Sequence, residues 1–234
     1  MNILSYSTRI EAGFVYLDEE EGRHIATVLR HKVGDRLEIT NGKGMLWETE
    51  ITEIGKRHVI ARIVGEKIFS PAPARLHMAV APTKNIERFE WFLEKAVEIG
   101  VDSITPLLCR HSERTTVRHD RLEKVVVAAM KQCLRTYLPT LNPLTPFKKV
   151  VENLPETQRF IGWCPPESDM PHLKTVLAPQ RDTVIFIGPE GDFSPEEIAL
   201  AQQHQCTPIT LGAARLRTET AAVFACSVFN VSQL

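Results

Sequence analysis

Thr183-Val-Ile-Phe-Ile-Gly188, running into Pro189-Glu-Gly-Asp192, and Pro208-Ile-Thr-Leu-Gly212, running into Ala213-Ala-Arg-Leu-Arg217, are two copies of one device: a strand that breaks into a loop and then a helix. The first run is short, apolar and rich in β-branched residues without polar alternation, which predicts a strand covered on both faces of a parallel sheet. Its helix has a defined start. Ser194 is a capping residue, Pro195 suits the first helical position because no N–H is needed there, and Glu197 completes a capping box. The second copy predicts a helix from near Thr218 to Val231, apolar and small along its length.

In open α/β sheets a ligand sits outside the carboxyl ends of the strands. If the two strands are neighbours, both loops line one crevice. Gly188, Gly191 and Gly212 let backbone approach a ligand, so main-chain groups can read an edge such as that of adenine. Glu190, Asp192 and Glu219 add negative charge, which repels a triphosphate and suits a cation. A phosphate-binding α/β enzyme is disfavoured further, because the Lys and hydroxyl of a P-loop are missing.

Outward from this region, residues 75–164 also alternate strand and helix. Strands are predicted over Leu76–Ala81, Ser103–Cys109 and Arg159–Cys164, and helices from about Asn85 to Gly100, over His119–Leu134 and over Phe147–Leu154. This alternation predicts a largely parallel sheet with helices on both faces. Ile86, Phe89, Leu93, Ala96 and Val97 form the apolar stripe of the first helix, while Glu87, Glu90 and Glu94 spread over its solvated side. Trp91 and Trp163 read as packing residues. Residues 1–70 are different: short strands at Asn2–Tyr6 and Gly13–Leu17, a helix begun by Asp18–Glu21 and carrying His24–Arg30, then Arg36–Thr40, a turn at Asn41–Gly44, and alternating runs over Met45–Ile54 and His58–Ile68. Alternation buries one face of each strand, and a closed or nearly closed small barrel is the simplest packing. Ser70-Pro-Ala-Pro-Ala74 separates the two patterns, so the expected domains are 1–70 and 74–234.

Composition narrows the function classes. The 234 residues are 43% hydrophobic and 24% charged, ordinary for a globular protein. No apolar run approaches the roughly 18 residues of a membrane span, and Met1-Asn-Ile3 opens no basic signal peptide, so a cytoplasmic location is the default. Five cysteines without a C-x-x-C pair, and histidines without helical pairing, argue against a metal site or a disulfide framework. The net charge of −1 is not that of a free nucleic-acid-binding domain. Any RNA contact must come from local clusters. Arg110-His-Ser-Glu-Arg114-Thr-Thr-Val-Arg118 is the one basic stretch, and Arg110 and Arg114 are its candidate phosphate contacts.

Ile187-Gly-Pro-Glu-Gly191, Leu211-Gly212 and Leu216-Arg-Thr-Glu-Thr-Ala221 resemble the paired signature of the small-subunit ribosomal RNA methyltransferase E family. His24–Arg30 with Gly34-Asp35, Lys84, Glu98-Ile-Gly-Val101, Pro106 and Gln132–Pro139 extend the resemblance in family order. Two positions depart from the pattern, Asp192 where the family has Gly and Ala214-Arg215 where it has Arg-Ile. The resemblance implies a SPOUT-superfamily α/β domain with a C-terminal trefoil knot behind a small PUA-like RNA-binding β-barrel, S-adenosylmethionine as cofactor, a homodimer, and methylation of N3 of a uridine in small-subunit (16S) ribosomal RNA. A SPOUT enzyme acting on transfer RNA, or a non-catalytic RNA-binding assembly protein, is the alternative. Under this reading the cofactor rests on Gly162, Ile187, Gly188, Glu190, Gly191, Leu211, Gly212, Leu216 and Thr220. Arg30 and Lys84 join the RNA contacts through the family motifs, and Glu98 is expected to pair with Lys84. Uridine N3 is protonated at neutral pH, so the reaction needs a carboxylate base, for which Glu219 is the candidate, or a guanidinium that stabilises the uridinate, for which Arg217 is.

Overall fold

The structure, a computed structural model, describes residues 4–164 and 169–234. Two compact units emerge: Met1–Pro71 with Val127–Leu138, and Ala72–Val126 with Pro139–Leu234.

In the first unit, β1 (Leu4–Tyr6), β2 (Arg9–Glu11), β3 (Phe14–Leu17), β4 (Arg36–Thr40), β5 (Met45–Ile54) and β6 (Val59–Ile68) form one sheet in the order β1-β4-β5-β6-β3-β2. Asn2 and Ile3 of the expected first strand lie outside the described residues, and β2 was not anticipated: three residues carry no periodicity. Alternate side chains Val15, Leu17, Leu37, Ile39, Trp47, Ile51, Val59 and Ala61 meet Ile25 in a single core. Here the period-two pattern converts directly into burial.

Asp18 caps α1 (Glu19–Arg23), its Oδ1 accepting from the N–H of Glu21 at 2.9 Å. The expected helix through Arg30 does not continue as such. It widens into a π-helical turn over His24–Val28, with the N–H of Leu29 bonding the carbonyl of His24 at 3.0 Å, and Arg30 turns left-handed at φ 59°. The segment Ile25-Ala-Thr-Val28 holds three β-branched residues, poor at continuing a helix, and the wider turn keeps Ile25 fully buried. Residues 127–138 join this unit through Thr136, whose carbonyl accepts from Gly44 N (2.9 Å) and Thr40 Oγ1 (3.2 Å), and through Lys131, which pairs with Glu21. Gly44 has φ 88°, and a Cβ there would collide with the Tyr137 ring.

The second unit contains β7 (Leu76–Val80), α2 (Ile86–Ile99), β8 (Ser103–Leu108), α3 (His119–Gln132, whose last turns belong to the first unit), β9 (Thr140–Leu141), β10 (Thr145–Pro146), α4 (Phe147–Val151), β11 (Gln158–Gly162), α5 (Leu173–Val176), β12 (Thr183–Ile187), α6 (Pro195–Gln203), β13 (Thr207–Ile209) and α7 (Thr218–Ser232). All its strand pairs are parallel, in the order β10-β8-β7-β12-β11-β13, with β9 beside β8. On one face Ala79, Leu107, Val184 and Phe186 pack with Phe147 and Val151 of α4 and Ile198 and Ala201 of α6. α7 packs against α2, β7 and β12.

One topological expectation is corrected. β12 and β13 are not neighbours, because β11 lies between them, pairing with both. Pro208 suits the resulting edge position of β13, where its missing N–H leaves no ladder bond unmade. The helix boundaries follow their caps. Asn85 accepts from Glu87 N at the start of α2, Gly100 ends it at φ 126°, and Ser194 and Glu197 form the reciprocal capping box of α6. Phe89, Leu93, Ala96 and Val97 of the predicted stripe are buried and Ile86 half-buried, but Trp91, read from sequence as a packing residue, is 45% exposed. It projects between the solvated positions Glu87 and Glu94 rather than into the stripe.

Candidate active site

Three loops leave the carboxyl ends of adjacent strands and meet. The loop after β11 begins at Trp163, the loop after β12 spans Gly188–Phe193, and the loop after β13 runs from Thr210 into α7. They enclose a pocket of about 280 Å³ with Arg88 of α2 at its margin, near the small end of the ~300–1,000 Å³ range of ligand sites.

Hydrogen bonds tie the loops to one another. Trp163 N donates to Ile209 O (3.2 Å), Cys164 N to a carboxylate oxygen of Asp192 (3.2 Å), and the buried Thr218 hydroxyl to Gly188 O (3.0 Å). This last bond fixes the first turn of α7 against the loop after β12. Glycines open the floor. A Cβ on Gly162 would come within 3.2 Å of Ile187 Cδ1, and Gly212 adopts φ 131°, which favours glycine.

The charges at the pocket are mixed. Glu190, Asp192 and Glu219 line it, as do Arg88, Arg215 and Arg217. The expectation of an acidic crevice is therefore corrected to a balanced one, since the loop before α7 contributes Arg215 and Arg217 and α2 brings in Arg88, which no local pattern associates with the strand ends. Glu219 is almost buried and has Nε of Arg88 3.9 Å from its Oε1. Glu190 turns one oxygen outward to accept from Lys84 N at 3.0 Å. Asp192 occupies φ 62°, which explains why glycine would be at home there, and its Oδ1 accepts from Phe193 N at 2.8 Å.

Of the residues named from sequence, Gly162, Ile187, Gly188, Glu190, Leu211, Gly212, Leu216, Arg217 and Glu219 all line the pocket. Gly191 and Thr220 do not. Gly191 is exposed within the loop after β12, its carbonyl 3.1 Å from His111 Nδ1, and Thr220 is exposed one residue past Glu219. Arg114 is engaged internally: its guanidinium donates to the carbonyls of Thr83 (3.0 Å) and Lys84 (2.6 Å) and so shapes the loop between β7 and α2. The Lys84 ammonium pairs with Glu113 at 2.8 Å, whereas Glu98 pairs with Lys95 at 2.9 Å, so the expected Lys84–Glu98 pair does not form. Glu98 sits in the last turn of α2, more than three turns from Lys84. Glu90 also departs from its solvated reading, because its side chain is only 14% exposed and grips Arg121 at 2.6 Å. Arg110 is exposed, and Arg30 belongs to the first unit.

Arg88, Cys164 and Thr210 are pocket residues that sequence reasoning did not single out; Trp163, read as a packing residue, packs against the core and also lines the pocket, and Arg215, noted only as a departure from the family pattern, lines it too. Trp163 and Cys164 had a usable signal, since they close the predicted strand Arg159–Cys164, whose observed counterpart β11 ends two residues earlier at Gly162. Arg88 had none. Among the described residues no group of three His, Cys, Asp or Glu side chains is placed to hold a metal ion, and no helix is long and apolar enough to cross a membrane.

Comparison with known proteins fits this geometry. The family described as RNA methyltransferase domain matches residues 70–230, and the RNA methyltransferase PUA domain matches residues 17–64. The ribosomal RNA small subunit methyltransferase E of Buchnera aphidicola subsp. Acyrthosiphon pisum is 30% identical over 221 residues, covering 91% of this chain and 85% of its own. A crystal structure of a probable rRNA-methyltransferase from Porphyromonas gingivalis is 36% identical with TM-score 0.91, over 99% of this chain and 98% of the other. A Legionella pneumophila protein assigned as a methyltransferase, in complex with the bound cofactor SAM, is 29% identical with TM-score 0.90, over 100% and 98% of the two chains. Fold and site together are those of an RNA methyltransferase built on a parallel sheet and preceded by a PUA domain. Within that class, the chain belongs to the ribosomal RNA small subunit methyltransferase E family.

Proposed function

We propose that this protein binds S-adenosylmethionine in the three-loop pocket and methylates N3 of a uridine in small-subunit (16S) ribosomal RNA. The observation that carries the reading is the convergence of three strand-end loops on a glycine-floored pocket with Glu219 nearly buried at its wall. The residues fit the cofactor. A zwitterion with a sulfonium, an ammonium and a carboxylate needs both signs of charge, and Glu190, Asp192 and Glu219 stand there with Arg88, Arg215 and Arg217. When bound, the cofactor supplies an activated methyl group, so the protein has only to orient the partners and keep water out.

The acceptor is the harder half of the chemistry. Glu219 takes the N3 proton as general base from a nearly buried position in the first turn of α7, with Arg88 Nε 3.9 Å from its Oε1. Arg217, exposed at the N-cap of α7, stabilises the negative charge that develops on the uracil ring. Gly162, Gly188, Leu211, Gly212 and Leu216 hold the adenosine half. Gly191 acts by letting the loop after β12 lie close against His111.

Residues 1–70 serve as the RNA-gripping domain and 74–234 as the methyl-transfer domain. Arg30, Lys84 and Arg110 contact phosphate, while Arg114 acts indirectly through the loop that carries Lys84. The same reading includes a homodimer, action in the cytoplasm and a threaded carboxyl end. The placement of β13 beyond β11, with α7 returning to β7 and β12, supports the last of these.

The test is methylation of small-subunit RNA or subunits lacking the mark, with the modified base identified by mass spectrometry. Glu219→Gln should slow turnover about a hundredfold or more, and Arg217→Ala should slow it severely, both with cofactor affinity near wild type by calorimetry. Unchanged turnover in both variants removes the assignment.

A further inference from the structure

The sheet of the first unit has two outer strands, β1 and β2, yet β1 ends at Tyr6 and β2 begins at Arg9. Three peptide steps of about 3.8 Å each hold these opposite edges within about 11 Å of one another. The sheet must therefore curl almost shut, leaving a seam. Ser7 bridges it: its hydroxyl donates to Tyr16 O of β3 at 2.6 Å and accepts from Arg9 N at 3.2 Å.

At this seam lies a cavity of about 570 Å³ whose lining includes Tyr6, Arg9, Tyr16, Asp18 and Arg57. The Arg9 guanidinium stacks over the Tyr16 ring, 4.7 Å from its centroid, and the Tyr6 ring adds a second flat surface. Such planes bind unstacked bases. Asp18 spends Oδ1 on the N–H of Glu21 and has a second oxygen to accept from a ligand donor. Arg57 pairs with Glu19 only at 3.9 Å, between side chains 83% and 62% exposed. A pair of that kind contributes little, so the guanidinium can exchange its partner for a phosphate. A bare anion is disfavoured by Asp18 and Glu19, and an apolar ligand by both carboxylates and both guanidinium groups.

We infer that this seam cavity takes one unstacked nucleotide of single-stranded RNA, its base bearing an exocyclic amine that donates to Asp18 and its phosphate meeting Arg57. The inference rests on the RNA substrate proposed above and adds a second anchoring point, distinct from the methylated uridine because uracil has no exocyclic amine. The base stacks on the Tyr16–Arg9 plane.

Fluorescence anisotropy with the full-length protein tests it, using labelled oligocytidylate and oligouridylate of about eight nucleotides, within the ~4–16 nucleotide footprint of single-strand binders. Oligocytidylate should bind more tightly than oligouridylate. Tyr16→Ala should weaken oligocytidylate binding about 5- to 150-fold, the range of one lost stacking contact, with circular dichroism confirming that the variant is folded. Arg57→Ala, at a highly exposed position that folding does not need, should weaken it about threefold or more and reduce its salt dependence. Both variants should raise KM for RNA with kcat unchanged. Absence of measurable binding, equal affinity for the two oligonucleotides, or wild-type affinity in both variants would overturn the site. A wild-type protein that passes these binding tests but makes no N3-methyluridine would sink the proposed activity and leave the seam site standing.

Discussion

Asp192 stands at φ 62°, a conformation that costs a non-glycine residue about 1–2 kcal/mol, and its carboxylate accepts from Phe193 N and Cys164 N. Two such bonds contribute about 0.5–1.5 kcal/mol each, so strain and bonding nearly cancel. Asp192→Gly should therefore change stability by no more than ~1 kcal/mol in urea unfolding, whereas Asp192→Ala, which keeps the strain and loses both bonds, should cost ~2 kcal/mol. If Ala proves as stable as Gly, the carboxylate is not holding the loops. At Gly191 a Cβ would sit 3.0 Å from the Cβ of His111, so Gly191→Val should push the loop after β12 out of register and abolish cofactor binding in calorimetry. Thiol chemistry is graded by the same environment. Burial holds the Cys206 and Cys226 thiols up at about 12 and that of Cys109 far above the ordinary range, whereas Cys164 is exposed at the pocket. At pH 8 a thiol reagent should label Cys164 well before those three, and bound cofactor should protect it.

At the scale of single elements, local sequence rules carry the most weight. Ser194, Pro195 and Glu197 specify the start of α6 without help from the rest of the chain, and the reciprocal bonds are present at 3.3 Å and 2.9 Å. Ser194→Ala should cost about 1 kcal/mol, read as a lowered Tm with methyl transfer retained. α7 is the contrasting case. Arg217 makes no side-chain capping bond at its N-cap, and the helix is anchored by Thr218, whose hydroxyl reaches a carbonyl thirty residues earlier. Thr218→Val leaves that carbonyl unpaired in a buried place, a loss of about 1–3 kcal/mol. Because the bond joins α7 to the loop after β12, the same variant should also weaken cofactor affinity; a stability loss with unchanged affinity would show that the two loops are held together by other contacts. The longer strands of both units and the ends of α2 and α6 were legible, since periodicity and caps are local. β2, β9, β10, α5 and the π-helical turn after α1 were not: the first four are too short to show a period, and the last is settled by the burial of Ile25.

Across the whole molecule, one largely buried carboxylate–imidazole contact sets a pH limit. Glu156, before β11, bonds His77 of β7 at 2.7 Å, with side chains 11% and 13% exposed, and His77 in turn bonds Thr105 of β8 at 2.8 Å. Burial pushes the Glu156 carboxyl up, but the hydrogen bond and charge of His77 outweigh it and hold the group below its ordinary 4.5. A carboxyl lowered on folding contributes stability that is fully present above 4.5 and is lost as pH falls through the lower folded value. Stability measured by urea unfolding should thus decline below about pH 4.5, and Glu156→Gln should flatten part of that decline; an identical acid limb in the variant would show that other carboxylates carry it. Glu156 and His77 are 79 residues apart, so no local pattern announces this pair.

The order of the longer strands and helices, the caps, the glycine-bearing loops and the change of pattern near Pro71 were determined by the sequence alone, because each depends on neighbours within a few residues. Tertiary structure alone placed β11 between β12 and β13, brought Arg88 to Glu219, balanced the charge of the pocket, returned residues 127–138 to the first unit and left a cavity at the seam between β1 and β2. The physical reason is the same in each case. These features are meetings of side chains and strand edges distant along the chain, and their energies exist only once parallel pairing and core burial have brought those groups together.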